Sequence, residues 1–270
     1  MKTWLAQLKR IGIFLLAAAA LGGCANMPGP GTRLDVEGLH NAIVADDASY
    51  VRAAVDARWV DVNSRIPAPV YMEGTPLITI AARAGSVNVV RYLITAGADL
   101  NALTPAYETA LMLATYFPSE AGETSSRHEE VARMLVEAGA MVDNHPHSYT
   151  PLAYAAYQGR DRMIRFLINR GAKVGANPAY VYVNTPLMMA AMQGHATSAV
   201  LLLRPGADAR VRVVNGHTAA ELAAKYNGGN LVPLLKCAEA AGPGEAFVRQ
   251  CERNAPCAIR VGTGGGIRVV

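Results

Sequence analysis

The feature that most limits what this chain can fold into is a block of residues that returns along it. One copy runs Thr75-Pro76-Leu77, Ala81-Ala82, Gly85, Val89-Val90, Leu93-Ile94 and Gly97-Ala98-Asp99-Leu100-Asn101. A second runs Thr150-Pro151-Leu152, Ala155-Ala156, Gly159, Met163-Ile164, Leu167-Ile168 and Gly171-Ala172. A third runs Thr185-Pro186-Leu187, Ala190-Ala191, Gly194-His195, Leu202-Leu203 and Gly206-Ala207-Asp208. Weaker copies hold Leu39-His40 with Tyr50-Val51 and Ala54-Val55, then Thr109-Ala110-Leu111 with Ala114, Val131, Leu135 and Gly139-Ala140, and finally Thr218-Ala219-Ala220 with Leu222, Leu231 and Leu235. Self-similarity at a fixed period of this size marks a stacked-repeat architecture.

Each position has a physical reason. Thr followed by Pro reads as a helix cap and first helical residue, because the hydroxyl accepts an orphan backbone N–H and Pro has none to satisfy. Ala-Ala pairs let helices approach closely. Val89, Val90, Leu93 and Ile94 form one helical stripe. Gly97, Gly139, Gly171 and Gly206 fall where helix ends call for a left-handed residue. Two short helices cannot bury such a stripe alone, so stacking on neighbours must do it.

The pattern resembles the ankyrin repeat, which has a period of about 33 residues and a signature opening T-P-L-H. The resemblance covers roughly residues 37–241 and implies an all-α solenoid of about six helix-turn-helix repeats with hairpin fingers between them. There are departures. Ile78, Ala153 and Met188 replace the usual His after the three T-P-L triplets. The first triplet stands one residue further from its Ala pair than the others do, so that helix start is expected to be irregular. About nine extra polar residues near Phe117 to Ser126 read as a surface loop inside the third repeat.

The N-terminus carries a different signal. Lys2, Lys9 and Arg10 form a basic head, followed by an apolar run from Ile11 to Leu21. That run is too short to cross a hydrocarbon layer, which needs roughly 20 residues, but has the length of a signal-peptide core. It ends in Leu21-Gly22-Gly23-Cys24, which resembles a bacterial lipobox. The resemblance implies a signal peptide over 1–23, cleavage before Cys24, and lipid on its thiol. Ala25 rather than Asp then implies the outer membrane, facing the periplasm. The plainer alternative is an ordinary secretory signal with an incidental Cys. Residues 24–36, with Pro28, Gly29, Pro30 and Gly31, read as a flexible tether. Three of the 25 basic residues lie in the first 23, leaving 22 against 21 acidic ones, a net of +1. Nucleic-acid binding, which needs a concentrated basic face, gains no support.

Residues 242–270 form a tail beyond the repeats. Phe247 to Arg253 reads as a short helix, and the segments around Val261 and Val269 as a hairpin across a Gly-rich turn. With Cys24 lipidated, Cys237, Cys251 and Cys257 remain. In an oxidising compartment the spacing favours Cys251–Cys257 across Asn254-Ala255-Pro256. Cys237–Cys251, which would staple the tail to the last repeat, and reduced buried thiols are the alternatives.

No catalytic constellation is present: there is no G-x-S-x-G, no H-E-x-x-H and no phosphate loop. Gly262 to Gly266 lacks the helix and Lys that a phosphate cradle needs. Asp143, His145 and His147 are the one ligand-like cluster, but they fall at an inter-repeat turn where such residues are common. His128 and His195, ahead of second helices, read as structural. The chain is therefore read as a non-enzyme with no metal and no cofactor.

In ankyrin proteins the partner lies along fingers and first helices. On this sequence that selects Tyr71, Tyr107, Tyr149, Tyr180 and Tyr182 in the inter-repeat segments, and Tyr116, Tyr157, Met192, Gln193, Lys225 and Tyr226 near the ends of first helices. Tyr supplies contact area with a polar tip and is enriched at interface hot spots, although any single one can simply pack between fingers. The leading expectation is a membrane-anchored periplasmic lipoprotein that binds another protein on its concave face. Two others stand beside it: an immunity protein neutralising a secreted antibacterial effector such as a lipase, and an accessory or stress-protective factor for a periplasmic enzyme.

Overall fold

A computed structural model describes residues 35–68, 71–117, 123–143, 149–175, 183–212 and 216–252. Within them the helices come in six antiparallel pairs: α1 (Val36–Val44) with α2 (Ala48–Asp56), α3 (Leu77–Ala84) with α4 (Val87–Thr95), α5 (Ala110–Tyr116) with α6 (Glu123–Glu137), α7 (Pro151–Tyr157) with α8 (Asp161–Asn169), α9 (Pro186–Gln193) with α10 (Ala196–Leu203), and α11 (Ala219–Lys225) with α12 (Val232–Ala241). The first helix of every pair packs on the first helix of the next, from α1 to α11. Second helices pack likewise, α2 on α4, α4 on α6, and α8 on α10. Among the described residues no helix is long and apolar enough to cross a membrane.

The repeated residues do what their chemistry predicts. Thr109, Thr150, Thr185 and Thr218 accept from the backbone N–H three residues on, at 3.1 to 3.4 Å. Pro151 and Pro186 follow two of these caps as first helical residues. Ala81, Ala82, Ala155, Ala156, Ala190 and Ala191 are fully buried where first helices meet. Gly97, Gly139, Gly171 and Gly206 have φ of 84°, 101°, 90° and 112°.

Thr75-Pro76 departs from this rule. Here β1 (Arg65–Ala68) pairs antiparallel with β2 (Tyr71–Pro76), placing Ile66 opposite Thr75 and Arg65 opposite Pro76. The helix starts one residue late, at Leu77, with Pro76 in the cap position and no side-chain cap. The Thr75 hydroxyl is buried and unpaired. The extra residue noted in the sequence is thus absorbed by a β-finger instead of a capped turn. The supposed loop at Phe117 to Ser126 is also shorter than expected, because α6 reaches back to Glu123 and runs 15 residues. His128 consequently lies inside α6, not ahead of it.

Two sets of polar bonds register one pair on the next. At the turns, Asn63 Oδ1 accepts from Asp99 N at 2.7 Å, Asn101 Oδ1 from Met141 N at 2.9 Å, and the Asp143 carboxylate from Lys173 N at 3.0 Å. At the other end of the first helices the last carbonyls have no intrahelical partner, and at α3, α5, α7 and α9 the following pair serves one of them. His128 Nε2 lies 2.9 Å from the Arg83 carbonyl at the end of α3. Arg160 Nη1 donates to the Ala114 carbonyl at 2.8 Å at the end of α5. His195 Nε2 lies 3.1 Å from the Tyr157 carbonyl at the end of α7. Asn227 N donates to the Met192 carbonyl at 3.1 Å at the end of α9. A ring nitrogen facing a carbonyl must be the protonated one, so both histidines are structural donors, as expected.

The tail folds back onto the repeats. After α12 comes α13 (Glu245–Phe247), which continues as a wide five-residue turn, Val248–Glu252. Phe247 is fully buried. The expected Cys251–Cys257 bridge is not the one formed. Cys237 and Cys251 are bonded, with Cα atoms 5.7 Å apart. The helical return of 245–252 lays Cys251 along α12, a proximity that a count of intervening residues does not reveal. Cys257 and the 259–269 hairpin lie outside the described residues, as do Cys24 and the whole of 1–34.

Candidate protein interface

Four of the selected positions turn out to be equivalent. Tyr116, Tyr157, Gln193 and Lys225 are the last residues of α5, α7, α9 and α11, so the stacking of first helices sets them in one row. Tyr149 stands just ahead of the Thr150 cap of α7. It meets the row through Tyr154, at 5.8 Å between ring centroids, and Tyr154 lies edge-on to Tyr116 at 5.1 Å. Tyr116 and Tyr157 lie nearly parallel, 6.5 Å apart. Tyr154, at 5 % exposed, is the floor of this cluster, and Tyr116, Tyr149 and Tyr157 are its half-buried walls. Edge-to-face and offset pairs are the arrangements aromatic quadrupoles prefer.

Burial governs the electrostatics of the cluster. Desolvation raises the phenol pKa of Tyr116, Tyr149 and Tyr157, and the neighbouring Tyr157 adds to the effect at Tyr116 and Tyr149. Glu108 raises Tyr116 further, while Arg83 opposes it. The rings are therefore neutral hydroxyl donors at physiological pH. Arg83 lies over Phe117 at 4.7 Å. Burial also lowers the pKa of Arg160 beneath the cluster, partly offset by Glu129.

The other candidates are distributed as follows. Tyr107 is 51 % exposed on a finger closed by Tyr107 N to the Thr104 carbonyl and Thr104 N to the Glu108 carbonyl, both 2.9 Å. It is held at φ 62°, uncommon for a bulky residue and tolerated where surrounding bonds over-determine it. Tyr226 is 42 % exposed, with the Lys225 ammonium 5.8 Å from its ring. Met192 is a correction: at 8 % exposed it packs inward, since α9 turns that position to α11 and leaves Gln193 outward. The side chain of Tyr71 and all of Tyr180 and Tyr182 lie outside the described residues. So do His145 and His147, while Asp143 serves the inter-repeat bond already described. Among the described residues no three His, Cys, Asp or Glu side chains could hold a metal.

Tyr154 was missed in the sequence, although it stands three residues before Tyr157 on the same helix face. Phe117, Glu108 and Arg83 were missed too, and for them no local spacing rule exists: Glu108 and Phe117 flank α5, and Arg83 reaches them from α3 in the preceding repeat.

Comparison with known proteins agrees with the repeat architecture. The family model for ankyrin repeats in three copies matches residues 107–178, and that for a single ankyrin repeat matches 74–105 and 184–213. The repeats are ankyrin repeats. Such repeats carry a protein–protein interaction role. Among similar proteins, an ankyrin repeat protein of Rickettsia felis is 34 % identical over 110 residues, which is 38 % of this chain and 45 % of that one. An ankyrin repeat-containing protein of Treponema pallidum is 37 % identical over 110 residues, covering 39 % and 36 %. The palmitoyltransferase Hip14 of Drosophila melanogaster is 42 % identical over 86 residues, 31 % of this chain and 13 % of that protein. The matched part spans less than half the length of each relative.

Proposed function

We propose that this ankyrin-repeat protein is a lipid-anchored binding module that holds a partner protein in the periplasm, and that it acts by binding, without catalysis. The observation that carries the reading is the row formed by Tyr116, Tyr157, Gln193 and Lys225 with the Tyr149 and Tyr154 rings beside it. Large aromatic side chains already fixed by their neighbours lose little freedom on binding, which favours affinity per contact. The tether and Cys24 support placement at a membrane surface: two buried acyl chains already give stable attachment. The Cys237–Cys251 bridge is consistent with an exported, oxidising location.

Crosslinking in the native membrane, followed by mass spectrometry, tests the binding face. A protein captured by the unaltered chain and lost by Tyr116→Ala/Tyr157→Ala, with the same helical content in both, is the expected result. Equal capture by both overturns the proposed face. Separately, a tagged palmitate analogue should label the unaltered chain and leave Cys24→Ser unlabelled. Equal labelling of both would remove the anchor from the proposal.

A further inference from the structure

The C-terminal turn is held to the repeats by a buried ring, a backbone hydrogen bond and a covalent bridge. Phe247 is fully buried, and Gly244 N donates to the Leu203 carbonyl at 3.3 Å, which seats the turn on the end of α10 in the fifth pair. Cys251, 3 % exposed, is bonded to the partly exposed Cys237 on α12. The turn is joined to α12 through Gly242-Pro243-Gly244 and packs along that helix. A three-residue helix and a five-residue turn have too few internal hydrogen bonds to persist alone. The seat of Phe247 and the sulfur bridge therefore keep them in place. Stacked repeats need such an end cap, because the last repeat has no neighbour to cover it.

We propose that Cys237–Cys251 is a reducible latch on this cap, opened by a dithiol reductase and closed by reoxidation. A thiolate of the reductase attacks Sγ of Cys237, the more exposed of the two. The protein S–S bond breaks, a mixed disulfide forms, and Cys251 leaves as a thiolate that takes a proton from water. The second thiol of the reductase then attacks the mixed disulfide, releasing Cys237 and leaving the reductase as its own disulfide. Two electrons and two protons pass to the latch. The bridge closes a loop over a separation of 14 residues, and losing that closure shifts the cap toward its open form by about a hundredfold. The sixth pair carries Lys225 and Tyr226, so the latch tunes one end of the row described above. That consequence rests on the binding face, whereas the opening of the cap does not.

Amide hydrogen exchange of the full-length protein tests the latch, in a Cys257→Ser background so that one bridge alone can form. With dithiothreitol as the dithiol, amides of 245–252 and the second half of α12 should exchange about a hundredfold faster, while α3 to α8 are unchanged. Cys237→Ser should show the same fast exchange without reductant and ignore its addition. Unchanged protection on reduction overturns the latch. So does an equal rise through all six pairs, which would make the bridge a staple of the whole domain. No partner is needed for this measurement, so its failure is separable from failure of the binding face.

Discussion

His195 reaches across a repeat boundary to place Nε2 3.1 Å from the Tyr157 carbonyl, and it does so over Gly159, where a Cβ would lie 2.7 Å from His195 Nδ1. The same arrangement occurs two boundaries earlier between His128, the Arg83 carbonyl and Gly85, where a Cβ would stand 3.0 Å from His128 Cε1. Each histidine thus satisfies a helix end in the preceding pair, and each glycine leaves the room for it. In the α7 pair that helix end is also Tyr157, so the bond steadies a residue of the proposed binding row.

Gly159→Ala should destabilise the protein more than Gly97→Ala does. Both positions have positive φ, at 66° and 84°, but nothing lies within 4 Å of a Cβ at Gly97. Backbone strain alone costs about 1 kcal/mol, and the added collision at Gly159 raises that to about 2–4 kcal/mol. His195→Ala leaves a carbonyl unmet and should cost about 1–3 kcal/mol. Urea unfolding of the three variants checks the order.

Raised phenol pKa values at Tyr116, Tyr149 and Tyr157 carry a pH signature. The folded state holds these protons more tightly than the unfolded chain, whose tyrosines titrate near 10.0. The contribution is therefore fully present below pH 10 and is lost as pH rises through the folded values. Melting temperature should fall above pH 10, and Tyr149→Phe should soften that fall. An identical alkaline profile in the variant would contradict it.

At the other end of the scale, Glu221 has a lowered pKa, chiefly because its carboxylate accepts from Thr218 N at 3.0 Å and then because Arg212 lies beside it. Its contribution is present above the ordinary value of 4.5 and lost as pH falls through the lower folded value. Glu221→Gln should consequently lose less stability between neutral and acid pH than the unaltered chain. Thr218→Ala removes the reciprocal cap and should cost about 1 kcal/mol at neutral pH.

The three tail cysteines should not be equivalent. Cys251→Ser should free the tail as reduction does, speeding amide exchange over 245–252 while the earlier helix pairs are unchanged, whereas Cys257→Ser leaves the bonded pair intact and the melting temperature unchanged. Peptide mapping without reductant should join the peptides holding Cys237 and Cys251. Recovery of a Cys251–Cys257 peptide instead would contradict the fold of the tail.

What could be read from the sequence was whatever repeats locally. The Thr caps, the Ala pairs and the glycines after second helices are set by hydrogen bonds within one turn of chain, so the helix pairs and the end-of-helix positions of Tyr116, Tyr157, Gln193 and Lys225 follow from spacing alone. Residues that meet across repeats were beyond that reach. Tyr154 as floor, Arg160 under the Ala114 carbonyl, Met192 turned inward and Cys251 beside Cys237 depend on how one pair sits on the next. Stacking angle and chain return are set by packing of whole faces, not by neighbours in sequence. The repeats by themselves thus determined that this chain stacks as ankyrin helix pairs, and tertiary packing alone decided which aromatic side chains gather into a surface and which two cysteines close its end.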